Sequence, residues 1–106
     1  MILSNLETRN VLMLGMSHYV DIGAPKEAVM LYLADGIAHI RLPDGTTMLG
    51  SWQMNDKGYS VAWEGGPRGD WHFDYEPGRI CYVDGEGKRH GPITRIVPGD
   101  PERLAG

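Results

Sequence analysis

Thr46-Thr47-Met48-Leu49-Gly50-Ser51-Trp52-Gln53-Met54, Tyr59-Ser60-Val61-Ala62-Trp63-Glu64 and Asp70-Trp71-His72-Phe73-Asp74-Tyr75 are three runs separated only by turn-forming residues. Apolar and polar side chains alternate in the second and third runs, which is the period of a β-strand with one buried face. Met48, Trp52, Met54, Tyr59, Val61, Trp63, Trp71, Phe73 and Tyr75 fall on one face. Ser51, Gln53, Ser60, Glu64, Asp70, His72 and Asp74 fall on the other. All three tryptophans of the chain thus point the same way.

Working outward, the same grammar continues in both directions. Asp35-Gly36 and Pro43-Asp44-Gly45 stand between apolar runs and signal hairpins, as do the glycine-rich steps at 55–58, 65–69, 76–79 and 84–87. The spacing predicts strands over 16–22, 26–34, 37–42 and 92–97 in addition to the three runs above. Ser4-Asn5-Leu6-Glu7 has the form of a capping box and Gly15 stands where a helix would stop, so a short helix is expected over 5–14, with a strand over 11–16 as its rival. Residues 98–106 read as a polar, poorly ordered tail. The predicted fold is all-β: an antiparallel up-and-down meander of about seven or eight short strands, forming a small barrel or curled sheet.

Composition limits the options further. A chain of 106 residues with 42% hydrophobic content makes one domain, spanning 1–106. A net charge of −4, with the ten basic residues scattered apart from Lys88-Arg89, argues against a nucleic-acid backbone as the natural partner. No apolar run approaches a membrane span, and no signal-peptide pattern opens the sequence. The single cysteine, Cys81, has no internal partner, which suits a reducing compartment, and a cytoplasmic location is expected.

Turn chemistry sets register, and register sets which residues share a face. Reading Asp35-Gly36 and Asp44-Gly45 as two-residue loops places Tyr32 opposite His39, His39 opposite Gly50 and Arg41 opposite Met48. Longer loops downstream place Trp52 opposite Val61, Trp63 opposite Trp71 and Phe73 opposite Tyr82. Tyr32, His39 and Arg41 then join Trp52, Trp63, Trp71 and Tyr82 on one wall. Two readings of Arg41 follow. It sits at a rim and reaches water along its stem, or it holds an external anion, since no carboxylate falls on this face between residues 28 and 82. Val29, Leu31, Leu33, Ala38, Ile40, Leu42 and Leu49 form a second apolar patch on the opposite face. Its cover is either the N-terminal segment or another subunit; a homodimer through Val29, Leu31, Leu33, Ile40 and Leu42 is the expectation.

The four histidines show no dense metal-ligand spacing, and His72 with Asp74 lies on the face expected to be wet, so neither metal nor cofactor is expected. Cys81 points outward, and no nucleophile elbow is present.

Tyr32-Leu33-Ala34-Asp35-Gly36, Gly50-Ser51-Trp52, Tyr59-Ser60-Val61-Ala62-Trp63, Val83-Asp84-Gly85 and Pro98-Gly99-Asp100-Pro101 together resemble a family of small, uncharacterised bacterial lipocalin-like proteins, over about residues 30–104. The resemblance implies a calycin-type barrel, no settled activity and no catalytic residue. The similar proteins are usually exported and carry paired cysteines, which this chain lacks.

The leading expectation is a binding module for a small, partly apolar, anionic molecule. Arg41 and His39 would anchor the charge, and Trp52, Trp63, Trp71, Tyr32 and Tyr82 would supply apolar contact. The alternatives are a cofactor-free lyase or isomerase with His39 or Tyr32 as acid–base group, and an interaction protein acting through the outer patch.

Overall fold

A computed structural model describes residues 5–106. Eight antiparallel strands follow one another around a closed barrel: β1 (Met16–Val20), β2 (Ala28–Tyr32), β3 (Ile37–Arg41), β4 (Thr47–Met54), β5 (Tyr59–Trp63), β6 (Arg68–Glu76), β7 (Arg79–Asp84) and β8 (Arg89–Pro98). Each pairs with its neighbour in sequence, and β1 closes on β8. Closure leaves no edge strand exposed, so so short a chain keeps its backbone paired without a second sheet.

The expected N-terminal helix is present. α1 (Asn5–Glu7) runs straight into a π-helical segment (Thr8–Met13), closed by Leu14 N–H donating to Arg9 O five residues back at 3.0 Å. The capping box expected at Ser4 lies outside the described residues. Gly15 ends the segment with φ +69 and donates to Tyr32 O at 2.8 Å, which ties the helix exit to β2. Met13 is fully buried in the interior cluster, with Leu12 and Leu14 packed beside it, so this segment plugs one end of the barrel.

The register of two hairpins differs from the sequence-based expectation. Leu33 pairs with Ile37 and Leu42 with Thr46, so both Asp-Gly loops have three residues, not two. The second loop residue, Asp35 or Asp44, accepts the amide two positions on, from Ile37 at 3.0 Å and Thr46 at 2.8 Å. The third, Gly36 or Gly45, takes φ +88 and +91. This is a type I turn closed by a left-handed glycine, and it absorbs one more residue than the tight turn assumed. Tyr32 therefore faces Ala38, not His39, and Gly50 likewise faces Ala38. The two corrections cancel between β2 and β4 and reverse only β3. Farther on, Trp63 pairs with Pro67 through a three-residue loop, and Trp71 lies opposite Tyr59. That shift is even, so faces are kept. The pairings of Trp52 with Val61 and of Phe73 with Tyr82 are as expected.

The interior holds Val20, Tyr32, Ala38, Trp52, Tyr59, Val61, Phe73, Tyr82 and Ile93. The chain end is not a loose tail. Beyond β8, Gly99 N–H donates to Gly15 O at 2.7 Å and Ser17 Oγ donates to Gly99 O at 2.7 Å. The Asp100 carboxylate then accepts the amides of Leu104 and Ala105. This segment returns over the outside of β1 to β3. Val29 and Leu31, cross-strand neighbours of Tyr19 and Ser17, are 2% and 0% exposed on that outer face. Ile40, read from sequence as part of the outer patch, points inward.

Candidate functional site

The plug fills the end of the barrel where β1 begins. At the other end lie the loops 21–27, 42–46, 64–67 and 85–88, and there the interior stays open. A cavity of about 210 Å³ runs inward from this mouth. Val20, Met30, Ile40 and Val61 form its aliphatic wall, Trp63 and Trp71 its aromatic wall, and Ile22, His90 and Gly91 its rim. Tyr32, Tyr59 and Tyr82, at 1%, 1% and 4% exposure, form its floor. Local sequence makes room for the indoles. Trp63 lies directly opposite Gly50, where a Cβ would stand 2.7 Å from the ring; a Cβ on Gly69 would stand 2.8 Å from the Trp71 indole nitrogen. Glycine opposite a large aromatic lets the ring lie flat on the sheet.

Beneath the floor sits His18, with no exposed surface. Its Nε2 bonds the carbonyl oxygen of Leu12 in the plug, and its Nδ1 lies 2.6 Å from the Tyr82 hydroxyl. Tyr32 neighbours Tyr82, and its hydroxyl lies 3.4 Å from that of Tyr59. The rings of Tyr32, Phe73 and Tyr82 surround the imidazole at 5.0, 5.8 and 6.0 Å. Burial governs the electrostatics. It pulls the His18 pKa down to about 4, outweighing the Leu12 hydrogen bond that favours the charged ring. It pushes Tyr32 up to about 12, and Tyr59 and Tyr82 well above the usual tyrosine value. All four groups are neutral at pH 7.

Four of the seven site residues expected from sequence line this cavity: Tyr32, Trp63, Trp71 and Tyr82. Trp52 lies in the packed interior, its Nε1–H donating to Leu33 O at 2.9 Å and its ring edge-on to Tyr32. His39 and Arg41 are on the outside, because β3 is reversed. His39 borders an outer groove with Leu49 and Leu104. Arg41 has a protein partner after all: its Nη2 donates to Glu102 Oε1 at 2.6 Å, from the C-terminal segment that reads in sequence as a polar, poorly ordered tail. The Tyr19 hydroxyl donates to the same carboxylate at 2.9 Å, and the Arg95 guanidinium sits 3.9 Å over the Tyr19 ring. The Arg41 and Tyr19 hydrogen bonds hold Glu102 below the usual carboxylate range. Glu102→Ala is expected to loosen the C-terminal segment, seen as faster amide exchange at Leu104 and Ala105, and to leave the cavity unchanged. A matching loss of protection inside the barrel would contradict this separation of outer clasp from inner site.

No family model matches the chain, and neither a curated protein nor a solved structure matches it. Among the described residues no group of three or more His, Cys, Asp or Glu side chains is placed to hold a metal ion. None of their helices is long and apolar enough to cross a membrane.

Sequence reading missed His18, Tyr59 and His90 as site residues. His18 was findable: Met16, His18 and Val20 alternate with Ser17 and Tyr19, so the register that turns Val20 inward also buries the imidazole. His90 was not, because its place depends on the bulged pairing of β8 with β7.

Proposed function

We propose that this chain binds a small, flat, largely apolar and uncharged molecule in the open end of its barrel. The cavity between Trp63 and Trp71, floored by three tyrosine hydroxyls, carries the reading. Apolar protein cavities of about 150 Å³ already accept a benzene ring, and 210 Å³ gives room for one ring with a small substituent. Eight-stranded meander barrels enclose interiors of this scale. Among the described residues no Lys or Arg borders the cavity, which favours an uncharged ligand over the anion expected from sequence.

The enzyme reading draws less support. A general acid or base works best with a pKa near the operating pH, whereas burial drives His18 and Tyr32 away from neutrality in opposite directions, to about 4 and about 12. Burial of Val29 and Leu31 beneath the chain's own end favours that segment, over a second subunit, as the cover for the outer patch.

Titration with small uncharged aromatics is expected to quench tryptophan fluorescence saturably. Ile40→Trp, which fills the mouth, is expected to weaken binding at least about tenfold, the scale of one lost buried contact at 1.4 kcal/mol. Quenching that never saturates, or that Ile40→Trp leaves intact, would count against the site.

A further inference from the structure

The hydrogen bond between Tyr82 and His18 has a direction, and the plug sets it. A backbone carbonyl only accepts, so the His18 nitrogen facing Leu12 O carries the proton. The imidazole has no exposed surface and, among the described residues, no carboxylate partner, only a carbonyl and a phenol. It is held neutral, so its other nitrogen is bare and accepts. The Tyr82 hydroxyl, 2.6 Å away, must donate to it. With its one proton committed, Tyr82 offers Tyr32 only lone pairs. The Tyr32 proton has three acceptors within reach: the Tyr82 oxygen, the Met30 sulfur at 3.5 Å and the Tyr59 oxygen at 3.4 Å. Either of the first two turns it away from Tyr59, whose hydroxyl then donates across the 3.4 Å gap, whereas a Tyr32 proton turned to Tyr59 would leave the Tyr59 proton for the cavity. With Tyr32 turned to Tyr82, the relay runs Tyr59 to Tyr32 to Tyr82 to His18 to Leu12, and every proton in it points down toward the plug. In that arrangement the cavity floor offers oxygen lone pairs and the Met30 sulfur, and no free hydroxyl proton.

We infer that the relay takes this direction, so that the cavity selects molecules that donate a hydrogen bond, an aromatic N–H or O–H of the indole or phenol class, and discriminates against rings of the same shape that can only accept. This rests on the binding reading above and adds polarity to it. A buried acceptor facing another acceptor goes unpaired, and leaving such a group unpaired costs about 1–3 kcal/mol, or about tenfold and more in affinity.

Indole and 1-benzofuran make a matched pair, differing in N–H against ring oxygen. Calorimetric titration is expected to show indole binding at least about tenfold more tightly, and Tyr59→Phe, which removes the acceptor, is expected to bring the two ligands to about the same affinity. Equal binding of the two by the wild-type protein would overturn the polarity while sparing the pocket. Binding of neither would overturn both. Independently of any ligand, the ¹⁵N signals of His18 are expected to show a protonated Nε2 and a bare Nδ1. The reverse tautomer would invert the relay and overturn the inference even if Tyr59→Phe fails to fold.

Discussion

Taking the protein from pH 7 to pH 4 is expected to remove about 3 kcal/mol of its stability through His18 alone, at about 1.4 kcal/mol per unit of pKa difference. The folded-state pKa of about 4 lies below the ordinary value of 6.5. The unfolded chain therefore takes up a proton first as pH falls. The contribution of the neutral ring is complete above pH 6.5, declines through the interval, and is spent near pH 4. The carboxylates act later. Asp84 is held below its usual 3.8 mainly by the His90 hydrogen bond, and Glu102 below its usual 4.5 mainly by Arg41. A group with a depressed acid pKa loses its contribution only as pH falls through and below those values. The span from 6.5 to 4.5 thus reports the buried imidazole. Urea unfolding across it is expected to slope in the wild type and to flatten in His18→Gln, and direct NMR titration is expected to place His18 near pH 4. A flat wild-type profile would mean the ring is solvated or charged in the folded state, and the relay above it would lose its anchor.

Gly58→Ala is expected to cost about 3 kcal/mol or more, the upper range for overpacking, and to lower Tm by about 15 °C. Gly58 closes the loop between β4 and β5, where its N–H donates to Asn55 Oδ1 at 2.8 Å and its carbonyl accepts from Asn55 N–H at 2.9 Å. A Cβ here would stand 2.1 Å from Trp71 O and 2.9 Å from His72 Cβ. Backbone, not a movable side chain, occupies the space. β6 must shift, and it carries Trp71 away from the cavity wall, so weakened ligand binding is expected to accompany the stability loss. Gly45→Ala is the contrast: φ is +91 but nothing lies within 4 Å, and about 1 kcal/mol of backbone strain is expected. Thermal melts that rank the two variants in the opposite order would show that the β4–β5 turn is not held as tightly as described.

The barrel was legible because strand alternation and glycine-marked turns are local signals that agree with one another. Tyr32, Trp63, Trp71 and Tyr82 keep the inward face expected of them because the register shifts around them are even or cancel. His39 and Arg41 were misplaced by one residue in each of two loops. Asp-Gly alone does not say whether the aspartate takes a positive φ, as a two-residue turn requires, or stays in the ordinary region and caps the turn with its side chain. Among the described residues only Arg103 has a positive φ without being glycine, so Asp35 and Asp44 do the latter. Size carried a hint: Ala38 facing both Tyr32 and Gly50 gives a large ring small neighbours, as a packed interior needs. The partner of Arg41 was out of reach, because Glu102 lies in a segment with no strand pattern. The hydroxyl relay was out of reach too, since it needs four residues from four strands and a carbonyl from the plug.

Crystals soaked in indole test the open-ended barrel most directly. Ring density between Trp63 and Trp71, with its nitrogen turned toward the Tyr59 hydroxyl, is the expected result. A mouth closed by the Trp71 side chain itself, with no indole inside the barrel, would contradict it.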